Sequence, residues 1–91
     1  MRNELIEIYS DATNAAIMRH PSRRFPGLLL QGDTLHTLCT VADQVCSSIG
    51  KGGAGFEEAD HLRNDLWAYL NHYKKVMVEE GLPLPFTERS V

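Results

Sequence analysis

Two rows of apolar residues at helical spacing dominate the second two-thirds of the chain. Leu35, Leu38, Ala42, Val45 and Ile49 recur three and four apart, and Cys39 and Cys46 widen that row. At 100° per residue these seven positions fall within about 120° of arc, while His36, Thr40, Asp43 and Ser47 line the solvent side. Gly32-Asp33-Thr34 carries N-cap chemistry and Gly50 a stop, which predicts a helix over residues 33–49. Beyond the connector Gly50-Lys51-Gly52-Gly53-Ala54-Gly55, a second row runs through Ala59, Leu62, Leu66, Tyr69, Leu70, Tyr73 and Met77. Glu57 and Glu58 suit the positive end of a helix macrodipole, and Gly81 with Pro83 ends the pattern, so a helix over 56–80 is predicted. A flexible connector lets the two helices pack antiparallel on each other and on one face of a sheet.

The residues ahead of these helices read as strands. Leu5-Ile6-Glu7-Ile8-Tyr9 places Ile6 and Ile8 on one face and Leu5, Glu7 and Tyr9 on the other. Ser10-Asp11-Ala12-Thr13-Asn14 has turn chemistry, Ala15 to His20 makes a second strand, and Leu28 to Gln31 a short third one after two prolines and a glycine. The predicted fold class is therefore α+β: a three-stranded antiparallel sheet, then a helix hairpin, in a single domain over residues 1–91. The tail 82–91 is extended by Pro83 and Pro85, and its apolar residues Leu82, Leu84 and Phe86 are expected to fold back on the body.

Composition narrows the class. With 43% hydrophobic and 23% charged residues in 91 positions, the chain has room for one soluble globular domain and few residues to spare for an internal active site. Leu28-Leu29-Leu30 falls far short of the roughly 20 apolar residues that span a bilayer. The first residues lack the basic-then-apolar layout of a signal peptide, so no membrane and a cytoplasmic location are expected.

The net charge of −3 argues against nucleic-acid binding, which needs a clustered basic footprint. Its distribution is uneven. Residues 1–11 carry −2, residues 12–32 carry +3 from Arg19, Arg23 and Arg24, and residues 33–91 carry −4. A basic segment thus lies inside an otherwise acidic chain.

Several chemistries find no support. Cys39 and Cys46 lie about 10.5 Å apart along a helix, beyond the about 7 Å that a disulfide tolerates, and neither sits in a zinc-type cluster. Both read as small core residues. Gly50-Lys51-Gly52 follows a helix and lacks the Ser/Thr of a phosphate loop, and Glu57 and Glu58 already occupy the helix end where phosphate would bind. His61 and His72 share a helix face but stand about 16 Å apart, so one ion cannot bridge them, and His61 with Asp65 reads as a solvated pair. No nucleophile elbow or HExxH signature is present. The expectation is no enzyme, no cofactor and no metal site.

What remains are surfaces. The loop from Arg19 to Pro26 presents Arg19, Arg23 and Arg24 on a proline-stiffened backbone with Phe25 as an anchor. It suits a partner surface, and equally a set of internal ion pairs with Glu57, Glu58 or Asp60. Trp67 lies about 80° off the centre of its helix row, where an indole either packs on the sheet or anchors a partner. The candidate partner-binding residues are therefore Arg19, Arg23, Arg24, Phe25 and Trp67.

Over the stretches Glu7 to Ala16, Arg19 to Gly27 and Gln31-Gly32-Asp33 the chain resembles a family of short, uncharacterised bacterial proteins, a likeness that brings no activity or site residue with it. In size, mild acidity and lack of catalytic signature it is also similar to immunity proteins that neutralise toxins, by analogy of composition alone. The function read from the sequence is a noncatalytic protein-interaction module, most concretely a bacterial immunity-type protein that binds a partner such as a toxin. The alternative is a small-molecule or anion-binding regulatory domain that uses the loop 19–26. A three-stranded sheet also leaves edges and a face to cover, for which a homodimer through the sheet or the Trp67 side of the helices is one answer.

Overall fold

In a computed structural model, which describes residues 1–87, the strand and helix patterns resolve into the expected order, sheet first and helices after. Residues 1–31 make one compact unit, and a second begins at Gly32.

The first unit holds β1 (Glu7–Ser10), β2 (Ala16–Arg19) and β3 (Gly27–Leu29), paired antiparallel in chain order. Their bounds differ from the sequence reading because each strand extends only as far as its neighbour. Glu7 pairs with Arg19, the last residue of β2, so Leu5 and Ile6 have no partner and stay outside β1. Leu29 pairs with Ala16, the first residue of β2, which leaves Leu30 and Gln31 outside β3. Ser10 belongs to β1 rather than to the turn. Ile8 faces Met18 and Ser10 faces Ile17, so Tyr9 is the extra residue of a β-bulge, which breaks the simple alternation. Side chains close the turn that follows: Ser10 Oγ accepts the Ala12 N–H at 3.4 Å, and the Thr13 hydroxyl donates to the Ala15 carbonyl at 2.9 Å. Partners share a face, so Ile8, Ala16, Met18 and Leu29 make an apolar one, while Glu7, Arg19, Ser10, Ile17 and Leu28 lie on the other.

The second unit holds α1 (Gly32–Ile49) and α2 (Phe56–Glu79), within a residue of the expected bounds. The two helices run antiparallel. Gly32 lies under the Tyr73 ring, Asp43 meets Trp67 near mid-length, and the connector joins the far ends. Gly32 is buried because the phenol of Tyr73 occupies the space a Cβ would need.

The seam is narrower than the predicted rows and turned relative to them. Cys39, Ala42, Cys46 and Leu70 are buried, whereas Leu38, Val45, Leu62 and Tyr69 stay exposed. Small residues at 39, 42 and 46 let the helices approach closely, which centres the seam on them, roughly 30° from the centre of the wider row. A two-helix contact covers one strip of each helix, so the flanks of a 120° row are left open.

The glycine connector closes on itself through backbone hydrogen bonds. The Gly50 N–H donates to Cys46 O at 2.9 Å, Gly53 N–H to Gly50 O at 3.0 Å and Phe56 N–H to Gly53 O at 3.2 Å. Gly50 ends α1 at φ 76°, a conformation that costs side chains with a Cβ. α2 ends in a Schellman motif: Leu82 N–H donates to Met77 O at 2.9 Å and Gly81 N–H to Val78 O at 3.1 Å, with Gly81 at φ 68°. That turn sends the tail back, and the Phe86 ring stacks on His36 of α1. The remainder of the predicted tail, residues 88–91, lies outside the described residues. Among the described residues no helix is long and apolar enough to cross a membrane.

Candidate functional site

The loop between β2 and β3 is built by its own side chains. Arg23 N–H donates to His20 O at 2.9 Å, which closes a tight turn with Pro21 inside it. Ser22 N–H donates to His20 Nδ1 at 3.0 Å, and the Ser22 hydroxyl lies 2.7 Å from the same nitrogen. Arg19 holds the loop from the strand side. Its guanidinium donates to the Arg23 carbonyl at 3.3 Å and pairs with the carboxylate of Glu7, its cross-strand partner. Hydrogen bonds to Tyr9 and then Glu7 push its pKa above the ordinary arginine value.

The three arginines therefore part company. Arg19 is half-buried and paired with Glu7, and Asp60 is paired with Arg63 one turn away on α2. Arg23, Arg24 and Phe25 are exposed, with Phe25 71% accessible and the Arg24 guanidinium 5.3 Å from the centre of its ring. That distance is within cation–π range, so the cation and the ring are presented together.

Trp67, the remaining candidate, belongs to the helical unit. It is half-buried, and its indole N–H donates to Asp43 Oδ1 at 3.0 Å, so it packs toward α1. It borders an open groove of about 880 Å³ whose other walls include His36, Asp43, Gln44, Ser47, Leu70 and Phe86. The sequence reading placed His36, Asp43 and Ser47 on the solvent side and missed this groove. The signal was present as the recurrence of polar residues at 36, 40, 43 and 47, on the flank that an antiparallel partner turns toward Trp67. Phe86 gave no such signal, because its seat depends on the turn at Gly81.

Burial, with a smaller contribution from Asp43, pushes the Cys39 thiol above its ordinary pKa and so away from the thiolate a nucleophile needs. Cys39 is fully buried and unpaired, and Cys46 is likewise buried. His61 Nε2 lies 3.3 Å from Asp65 Oδ2 as an exposed pair one turn apart. Among the described residues, no three His, Cys, Asp or Glu side chains gather where a metal could sit.

No curated protein and no solved structure matches the chain. A family model does, over residues 1–86, and it takes in both the sheet unit with its loop and the helices with their groove. The chain belongs to that family, described as a family of unknown function, DUF6959.

Proposed function

We propose that this chain is a noncatalytic protein-interaction module of the cytoplasm, in its most concrete form a bacterial immunity-type protein that binds and neutralises a partner such as a toxin. Arg23, Arg24 and Phe25 make the contact, and Arg19 positions them. The observation that carries this reading is the exposed pairing of Arg24 with Phe25 on a loop already closed by the His20–Arg23 turn and the Arg19–Glu7 pair. An ordered loop loses little conformational entropy on binding, and arginine beside an aromatic ring is the chemistry most enriched at binding hot spots. The loop is the basic part of an acidic chain, so its partner presents an acidic patch.

The experiment is affinity capture from cells of the source organism with the natural chain and with an Arg23→Glu/Arg24→Glu variant, followed by mass spectrometry. The reading expects a protein held by the natural chain and lost from the variant. Identical capture profiles contradict it.

A further inference from the structure

The turn that opens the loop between β2 and β3 has an amide that its own closing bond does not serve. That bond runs from Arg23 N–H to His20 O; Pro21 has no N–H, and the Ser22 N–H points inward without a backbone acceptor in the turn. The His20 side chain answers it. Its Nδ1 accepts the Ser22 N–H at 3.0 Å, in the i to i+2 pattern that asparagine and aspartate make in an Asx-turn, and the Ser22 hydroxyl approaches the same nitrogen at 2.7 Å. A ring nitrogen accepts a hydrogen bond only when it carries no proton, so this geometry requires a neutral imidazole with its hydrogen on Nε2.

Protonation treats the contacts differently. A hydroxyl can rotate and accept from an Nδ1–H, so the Ser22 side chain keeps its contact with an imidazolium. The amide cannot reverse, and its N–H would then point at another N–H. An imidazole changes charge between about pH 5 and 8 and a guanidinium does not, so the other hold on the loop, Arg19 on the Arg23 carbonyl, stays in place across that range. The charged and titratable groups around the ring reinforce the effect. On its own loop they are Arg19, Arg23 and Arg24, all cationic; on β1 they are Glu7 and Tyr9, both engaged with Arg19; ahead of β1, Glu4 is paired with Arg2; and β3 carries none. A new cation thus meets a basic segment whose neighbouring carboxylates are already paired.

We propose that His20 is a pH-operated latch on the loop 19–26: neutral, it holds the Ser22 amide and fixes the turn from which Arg23, Arg24 and Phe25 project; protonated, it releases that amide and loosens the turn. The latch needs no partner, so it is tested apart from the reading of the loop as a contact surface.

The test follows the backbone amides and the His20 ring nitrogens by NMR at about pH 8 and about pH 5, either side of the imidazole range. At the higher pH the ring is expected in the Nε2–H form. Towards the lower pH the Ser22 amide shift is expected to follow the ring nitrogens with the same midpoint, and its protection from hydrogen exchange, corrected for the intrinsic rate, to fall about 5-fold, the loss of one hydrogen bond. His20→Asn supplies an oxygen acceptor that does not titrate, and it should keep the Ser22 amide protected at both pH values, while His20→Ala leaves it unprotected at both. Ser22→Ala removes the hydroxyl but not the amide, and should keep the pH response. An Nδ1–H ring at the higher pH, a Ser22 amide indifferent to pH, or the same response in His20→Asn overturns the proposal. So does a joint loss of protection across the amides of β1, β2 and β3 at the lower pH, which would be unfolding of the sheet and not release of a latch.

Discussion

At the scale of single residues, the helical unit depends on a few close contacts. Gly32 opens α1 beneath the Tyr73 ring, and a Cβ there would overlap the phenol. Elsewhere in a helix, alanine for glycine gains up to about 1 kcal/mol. Here the sign reverses, and Gly32→Ala is expected to cost about 1–3 kcal/mol in urea unfolding, as overpacking does. Cys39 makes a pH prediction. Its folded pKa is raised by burial and then by Asp43, so the unfolded chain releases the proton first as pH rises. Its stabilising contribution is full below the unfolded thiol pKa of about 8.5 and is lost as pH climbs through the raised folded value. Cys39→Ala should therefore be less stable near pH 7, by about 1 kcal/mol for the lost sulfur, and should show a shallower alkaline decline. Urea midpoints at pH 7 and 9.5 for both proteins measure it.

At the scale of elements, the helices and their ends were legible in the sequence, and the details of contact were not. Spacing and punctuation placed both helices to within a residue, because periodicity and capping are local properties. The seam was displaced, because a wheel projection weights Leu38, Val45, Leu62 and Tyr69 by hydrophobicity, while close approach is decided by the small residues at 39, 42 and 46. Strand ends depend on the partner's length, and the bulge at Tyr9 on pairing, so neither is visible one strand at a time. Of the candidate site, the loop was legible from its charge and prolines. The reservation of Arg19 by Glu7 was not, since it needs the register. The groove was missed because the tail's return is set by Gly81. That turn is testable: Gly81→Ala forces alanine toward φ 68°, at a cost of about 1 kcal/mol, and is expected to loosen the Phe86–His36 stack and alter Trp67 fluorescence.

At the scale of the whole molecule, the helix pair leaves apolar side chains exposed on one side. Leu38 and Val45 lie on one flank of the α1 seam, and Leu62, Tyr69 and Val76 on the corresponding flank of α2; because the helices run antiparallel, these flanks adjoin. They lie opposite the Trp67 groove and offer a dimer through the helices a second apolar surface beside the Trp67 side. Self-association through it predicts sedimentation at about twice the 10.2 kDa chain mass, with a Leu62→Lys/Tyr69→Lys variant reverting to monomer without loss of helicity. A natural chain that stays monomeric at high micromolar concentration contradicts that expectation.

The most direct test of the account as a whole is the association rate of the captured partner with the natural chain and with Arg23→Glu/Arg24→Glu, at low and at physiological salt, beside a thermal melt of each. Both arginine side chains are exposed, so the melt is expected to move by less than about 2 °C, as for ordinary surface substitutions. Association is expected to slow by 10-fold or more at low salt, with the gap narrowing as salt rises. Unchanged association with a stable variant, or a melting temperature that collapses, would contradict the assignment of this loop as the partner-binding surface.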